Sequence, residues 1–158
     1  MKTIRTTLLI VLAVTAISSA WAEDNEATKK DLARLQGEWS MVSGTADGYP
    51  IPAEMIPNSK RVCKGDEITA TVGGQLVLKA RITIDPSKQP KTIDYDVLDG
   101  PTKGKKHLGI YELEGDTLKS CFGAPGAERP TDFTSKPGDQ RTSTVWKRAK
   151  ADSKSKEK

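Results

Sequence analysis

The segment from Gly109 to Phe122 constrains the fold of this chain more than any other, because it reads as a β-hairpin with a defined register. Gly115-Asp116 suits a two-residue loop of type II′, in which glycine takes the first central position. Counting outward from this loop pairs residue 114 with residue 117 and sets every later pair. One face then carries Leu113/Leu118, Tyr111/Ser120 and Gly109/Phe122, and the other carries Glu112/Lys119 and Ile110/Cys121. Opposite charges meet on the polar face and a ring covers a glycine, so the register is chemically consistent.

Alternation of apolar and polar residues continues along most of the remaining chain. Its clearest run is residues 76–85, where every second residue is apolar, as in a strand with one face in a core. Strands are predicted near residues 37–45, 60–65, 67–72, 76–85, 91–98, 106–114, 117–123 and 141–148. Eight antiparallel strands with short links predict an all-β fold, a single up-and-down barrel that leaves no open edge. A two-sheet sandwich is the alternative.

Four parts of the chain differ in composition and predict its organisation. Residues 1–22 read as a signal peptide, and residues 23–36 as a short helix that Thr28 caps, with Asp31 in the first turn. The barrel takes residues 37–148, and residues 149–158 form a Lys/Ser-rich tail that is predicted to be disordered. Removal of residues 1–22 leaves 136 residues, enough for one domain with one core.

The first 22 residues have the three parts of a secretory signal. Lys2 and Arg5 form a basic start, residues 8–17 form an apolar run too short to span a bilayer, and residues 20–22 form an A-x-A cleavage site. We expect cleavage after Ala22 and a secreted or periplasmic product with no stable membrane anchor. N-terminal sequencing of the exported protein should begin at Glu23. Exported protein that retains Met1 would contradict this expectation.

Charge is distributed in a way that argues against nucleic acid as a partner. The whole chain has 25 basic and 21 acidic side chains. Without the predicted signal and the tail, the counts are 19 and 19, so the part of the chain that is predicted to fold, residues 23–148, is neutral. The excess of positive charge lies in the two terminal segments rather than in a basic stripe of the kind that binds phosphates.

The two cysteines leave two alternatives open. An exported protein with two cysteines can form a disulfide. If Val62 points inward, however, Cys63 points outward, on a strand far from the outward-facing Cys121, and the bridge cannot form. Two free thiols, buried under a loop or the tail, are the other possibility.

The sequence shows no set of catalytic or metal-binding residues. His107 is the single histidine, and it is predicted to be a strand-end residue with no catalytic role. Asp94, Asp96 and Asp99 form a D-x-D-x-x-D cluster that could bind Ca²⁺ outside the cytoplasm, but alternating carboxylates on an outward face are typical of a solvated surface, and no EF-hand glycine pattern accompanies them. We therefore predict no enzyme activity, no cofactor and no metal site.

Several motifs together resemble a family of secreted planctomycete domains of unknown function with a lipocalin-like (calycin-like) barrel. They are Gly37-x-Trp39, the string GIY-LxGDxLKxCF from Gly109 and Tyr111 through Gly115 and Asp116, Arg129-Pro130-Thr131-x-Phe133, and the closing Arg148. The resemblance implies that Trp39 closes one barrel end and that Arg148 packs across its ring. It implies no substrate or catalytic residue. The segment 129–133 could grip a ligand, but a structural corner is favoured, with Pro130 fixing the turn, Phe133 plugging a barrel end and Arg129 binding carbonyls.

The predicted barrel interior is the remaining candidate for function. Its inward apolar side chains could bind a small apolar or amphiphilic ligand, and the candidate contacts are Leu78, Ile82, Ile93, Tyr95, Tyr111, Leu113 and Phe122, with Leu76, Ile84 and Val97 on the same faces. The alternative is a non-enzymatic structural or interaction module of the cell envelope with a filled core. An eight-stranded barrel allows either, and an internal cavity of several hundred Å³ would favour the binder.

Overall fold

Nine strands, one α-helix and one 3-10 turn make up the fold in the computed structural model, which describes residues 17–150 and their side chains from residue 25 onward. The elements are α1 (Ile17–Leu35), β1 (Gly37–Ala46), β2 (Tyr49–Pro50), the 3-10 turn Ile56–Asn58, β3 (Lys60–Lys64), β4 (Glu67–Val72), β5 (Gln75–Asp85), β6 (Lys91–Asp99), β7 (Lys106–Glu114), β8 (Thr117–Phe122) and β9 (Thr142–Arg148). Residues 1–16 of the predicted signal and residues 151–158 of the predicted tail lie outside the described residues.

The strands close into an eight-stranded antiparallel barrel, as the sequence predicts. Consecutive strands pair with each other from β3 through β9. β1 pairs with both β3 and β9, which closes the barrel. The two-residue β2 adds only a short flap to β1. All eight predicted strands are present, with bounds within about one residue of those expected from the alternation.

The β7–β8 hairpin has the register that its turn predicts, from Glu114 opposite Thr117 to Gly109 opposite Phe122. Gly115 has a φ of +53°, the left-handed region that a type II′ loop requires at this position. A Cβ at Gly109 would collide with the Phe122 ring, so the absence of a side chain there lets the ring lie flat against β7. On the outer face, Lys119 Nζ lies 2.8 Å from a Glu112 carboxylate oxygen.

The two ends of the barrel differ. At one end lie the α1–β1 junction and the turns β3–β4, β5–β6 and β7–β8, and here the side chains form the packed core. Leu35, at the end of α1, is fully buried in that core. At the other end lie the longer links 47–59, 100–105 and 123–141. The helix therefore closes one end, and only loops cover the other.

The helix differs from the prediction in its extent. It begins at Ile17 rather than at Glu23, so Thr28 lies within it and does not cap it. Asp31 is not in the first turn but near the end, where it is buried against the barrel. No helix in the described part of the chain is long and apolar enough to cross a bilayer.

The inward face of β3 is the opposite of the one predicted. Val62 is exposed, whereas Arg61 and Cys63 are buried. The β3–β4 register explains this phase, because it places Arg61 opposite Ala70 and Cys63 opposite Ile68, whose side chains point into the barrel. An arginine thus enters the barrel interior.

Strict alternation also gives the wrong face at two positions beside β-bulges. Leu76, predicted to point inward, is 42 % exposed because the register of β4 against β5 shifts between Ala70 and Thr71, which places Leu76 opposite the outward Thr71. Strict alternation along β1 would place Ser43 on the same face as Trp39 and Met41, but Ser43 is exposed, because the register of β1 against β9 shifts between Met41 and Ser43. Such a bulge turns the following residues to the other face.

Both cysteines are buried free thiols, one inside the barrel and one outside it. Cys63 belongs to the core, and burial raises the pKa of its thiol. Cys121 lies on the outer wall beneath the link 123–141, its Sγ 3.7 Å from the Thr134 carbonyl oxygen, and burial raises its pKa to about 11. The alternative of two free thiols is the one the structure contains, although Cys63 is inward rather than outward.

Candidate ligand site at the open barrel end

A cavity of about 520 Å³ lies inside the barrel at the end opposite the helix. Most of its lining is apolar, with aromatic, aliphatic and thioether side chains from the strands and from the links that cover this end. These residues are Met41, Ala46, Ile51, Pro52, Met55, Ala70, Val72, Val77, Leu78, Tyr95, Phe122, Ala124, Pro125 and Trp146. Polar groups also line it, namely those of Arg61, Thr102, His107, Ser120, Gln140, Thr142 and Thr144.

The predicted ligand-contacting residues divide between this cavity and the packed core. Leu78, Tyr95 and Phe122 line the cavity. The other four, Ile82, Ile93, Tyr111 and Leu113, are buried in the core toward the helix and do not line it. Ile84 and Val97 are core residues as well. The alternation of apolar residues therefore identifies side chains that point into the barrel. It does not show which of them pack in the core and which line the cavity.

Arg61 is the charged group of the cavity floor. Its side chain comes from β3 and is 2 % exposed. Arg61 Nη1 donates a hydrogen bond to the Tyr95 hydroxyl at 2.5 Å, while Nε and Nη2 are buried and have no hydrogen-bond partner among the described residues. Buried polar groups are nearly always paired, and a buried charge without a counter-charge is costly. Arg61 is therefore the polar feature of this interior that most needs a partner.

Tyr95, on β6, contacts the arginine across the barrel interior. Its ring stacks on Phe122, with ring centroids 4.0 Å apart, and the Arg61 guanidinium carbon lies 5.7 Å from the Tyr95 ring centroid. Burial raises the pKa of the Tyr95 hydroxyl, so the phenol is neutral at physiological pH. Tyr95 therefore orients Arg61 without neutralising its charge.

His107 lies at the rim, at the head of β7 as predicted. Its Nδ1 is 3.2 Å from the Gly123 carbonyl oxygen, and its Nε2 is 3.0 Å from the Thr102 hydroxyl. The carbonyl can only accept, so Nδ1 carries a proton and Nε2 is bound to the hydroxyl. Both ring nitrogens thus bind the links over the cavity, which is a structural arrangement.

At the closed end, the motif residues Trp39 and Arg148 attach the end of the helix to the barrel. The Trp39 indole N–H donates to the Leu35 carbonyl at 2.9 Å, and the Arg148 guanidinium carbon lies 4.3 Å from the Trp39 ring centroid. Arg148 also donates to the carbonyls of Arg34 and Gln36, at 2.6 Å and 2.8 Å. The packing of Arg148 on Trp39 that the resemblance implies is present, and it satisfies carbonyls that the helix end would otherwise leave unpaired.

The segment 129–133 forms a corner on the outer wall. Arg129 binds both carboxylate oxygens of Asp94, at 2.5 Å and 3.2 Å, and the Gly109 carbonyl at 2.7 Å, while Pro130 is fully buried. Phe133 does not plug a barrel end, because it is half-buried and belongs neither to the core nor to the cavity lining. The adjacent outer groove, of about 570 Å³, has its arginine already paired and is the weaker candidate site.

The three aspartates of the D-x-D-x-x-D cluster have separate partners. Asp94 binds Arg129, Asp96 lies 2.9 Å from Lys106 Nζ, and Asp99 accepts from the Gly100 amide at 2.9 Å. Across the described residues, no group of three or more His, Cys, Asp or Glu side chains is arranged to hold a metal ion.

Arg61 is the site residue that sequence reasoning missed, although a signal for it was present. Gly65-Asp66 is a Gly-Asp loop like the one between β7 and β8, and it pairs Lys64 with Glu67. Counting back from this turn, with Ile68 inward, places Cys63 and then Arg61 inside the barrel. The apolar character of Val62 suggested the opposite phase.

Fold and cavity define the class of this protein as an all-β domain, an eight-stranded antiparallel barrel closed by a helix at one end and containing a mostly apolar cavity at the other. Comparison with protein-family models, with curated proteins and with solved structures finds no match.

Proposed function

We propose that this protein is a secreted, non-enzymatic binder of a small apolar or amphiphilic molecule, which it holds in the cavity at the open barrel end. The observation that carries the proposal is the cavity itself, about 520 Å³ with a mostly apolar lining. Pockets for small molecules have volumes of roughly 300 to 1,000 Å³ and combine an apolar lining with a few polar groups. A completely filled interior, the alternative arrangement for an eight-stranded barrel, would leave no such space.

The composition of the cavity supports binding rather than chemistry. In the described part of the chain, the cavity contains one histidine, and both its nitrogens are engaged by Thr102 and Gly123. Thr102 and His107 form a hydroxyl–imidazole pair in the lining, but His107 Nδ1 binds the Gly123 carbonyl rather than a carboxylate that would orient and stabilise a catalytic imidazole. Three long links surround the opening, which suits entry of a ligand from that end.

The proposed location and family follow from the sequence motifs. The signal in residues 1–22 supports a role in the cell envelope or outside the cell, where a barrel could carry a poorly soluble molecule. The Gly-x-Trp motif with Arg148 packed on Trp39 supports a lipocalin-like relationship, and so does the strand order.

Filling the cavity is expected to abolish binding without unfolding the protein. Ala70 lines the cavity, so Ala70→Phe would place a ring in the ligand space. The matched control is Thr69→Phe on the same strand, because Thr69 pairs with the exposed Val62 and faces outward. Binding of a panel of fatty acids, fatty alcohols and aromatic dyes is measured through thermal shift and through the fluorescence of Trp146, which lines the cavity.

The control variant and the wild type should bind alike, and Ala70→Phe should lose binding by about tenfold or more. Circular dichroism verifies that all three proteins are folded. Absence of binding by wild type across the panel, together with a bare polypeptide mass in native mass spectrometry of protein from its own envelope, would reject the binder in favour of the interaction module.

A further inference from the structure

The buried charge of Arg61 has no counter-charge within the described residues. The side chain is 2 % exposed, and the described ion pairs of the protein do not include it. The arginine guanidinium is always charged in proteins, so this interior contains a positive charge. Two of its three nitrogens also have no hydrogen-bond acceptor.

The groups around Arg61 do not provide the missing negative charge. The Tyr95 hydroxyl accepts one hydrogen bond from Nη1, but burial raises its pKa and the phenol is neutral. Cys63 lies on the same strand and face, and burial also raises the pKa of its thiol, although the charge of Arg61 acts in the opposite direction. The cross-strand neighbours are Trp39 on β1 and Ala70 on β4.

The geometry of the unpaired atoms indicates the shape of the partner. Nε and Nη2 lie on one edge of the planar guanidinium, and their N–H bonds point the same way. A carboxylate matches this edge with two parallel hydrogen bonds, an arrangement stronger and more specific than a single contact. The third nitrogen, Nη1, is directed to Tyr95, which holds the plane of the guanidinium in place.

We propose that the ligand is an amphiphile with a carboxylate head group, an inference that rests on the proposed function. The head group binds the Nε and Nη2 edge of Arg61 at the floor of the cavity. The apolar tail of the ligand then lies toward the open end among Leu78, Phe122 and Trp146. Nε and Nη2 have almost no solvent-accessible surface, so the head group reaches them after the lining shifts. Met41 and Met55, which are unbranched and adaptable, supply that movement.

The test compares two probes with the same tail, sodium dodecanoate and 1-dodecanol, on the wild-type protein and on Arg61→Met. The wild type is expected to bind dodecanoate about tenfold or more tightly than dodecanol. Arg61→Met should lose this preference, so that its affinities for dodecanoate and dodecanol become about equal. It should also be at least as stable as the wild type, since it removes an unpaired buried charge. Equal binding of both probes by wild type, or an unchanged preference in Arg61→Met, would overturn the proposal.

A second variant supplies the missing charge from the protein. Ala70 faces Arg61 across the β3–β4 pair, so Ala70→Asp would place a carboxylate beside the guanidinium. This variant is expected to lose dodecanoate binding and to melt at a higher temperature, whereas Thr69→Asp on the outer face should bind as the wild type does. Dodecanoate binding that survives Ala70→Asp contradicts the head-group assignment. Failure of wild type to bind either probe instead contradicts the cavity as a ligand site, so the two failures are distinguishable.

Discussion

Replacement of Trp39 by alanine is expected to lower the free energy of unfolding by about 3 to 5 kcal/mol, as for other large core aromatics. The ring is fully buried at the closed end, where Leu35 and the other core residues pack around it. Its loss also removes the indole donor to the Leu35 carbonyl and the aromatic surface beneath Arg148. Both contacts attach the helix to the barrel, so the effect exceeds that of the cavity alone.

Two companion variants separate these contributions in urea or thermal unfolding. Trp39→Phe keeps an aromatic ring but leaves the buried Leu35 carbonyl without its donor, and it should lose about 1 to 3 kcal/mol. Val42→Ala, on the same strand but 47 % exposed, should change stability by less than about 0.5 kcal/mol. If Trp39→Ala is no more destabilising than Val42→Ala, Trp39 does not hold the helix to the barrel.

Replacement of Asp31 by alanine is expected to lower the free energy of unfolding by about 2 to 3 kcal/mol near neutral pH. Asp31 Oδ2 lies 2.7 Å from Lys91 Nζ and accepts from the Tyr111 hydroxyl at 2.9 Å, and Oδ1 lies 3.5 Å from Arg34. The side chain of Asp31 is 6 % exposed, but that of Lys91 is 32 % exposed. The loss is moderated because Lys91 can regain water.

The loss of stability caused by Asp31→Ala should decrease as the pH is lowered. Burial raises the pKa of Asp31, but hydrogen bonds from Lys91 and Tyr111 and the charges of Lys91 and Arg34 outweigh burial, so the pKa lies below its ordinary value. Stability from such a carboxylate is fully present above its unfolded-state pKa and is lost as the pH falls through its folded-state pKa. The difference between wild type and Asp31→Ala should therefore shrink as the pH falls from neutral through the ordinary range of carboxyl groups and below it.

The matched control for Asp31 is Glu26→Ala on the same helix. Glu26 lies 3.1 Å from Lys29, and both side chains are mostly exposed. Exposed pairs contribute roughly 0 to 1 kcal/mol, so this variant should unfold nearly as the wild type does at every pH. An Asp31→Ala protein that matches Glu26→Ala in stability, or whose deficit grows toward acid, would show that the buried carboxylate does not hold the helix to the barrel.

Most of the fold could be predicted because strands that follow each other in the chain pair with each other, and because each strand buries only one face, which gives an alternating sequence pattern. The β7–β8 register follows from Gly115-Asp116, since a two-residue loop leaves no freedom in pairing. The short β3 could not be assigned in the same way from its own residues. Each face of Lys60–Lys64 offers a single apolar residue, Val62 or Cys63, so its phase depends on the partner strand.

The candidate site could be predicted only in part. Leu78, Tyr95 and Phe122 were identified by alternation, and the cavity contains them. Alternation treats every inward residue alike, however, so Ile93 and Tyr111 were assigned to the site although they pack against the closed end. Which inward residues face empty space depends on how far the helix and the large side chains fill the barrel, and that is a property of three-dimensional packing.

The strands and the β7–β8 register could be predicted because they depend on the order of neighbouring residues, and the equal numbers of basic and acidic side chains in residues 23–148 follow from composition alone. The tertiary structure decided that Arg61 enters the interior, that the helix contacts only one end and that a cavity remains at the other. These features depend on contacts between residues far apart in the chain. Arg61 meets Tyr95 and Asp31 meets Tyr111 only when the barrel has closed and the helix has packed against it.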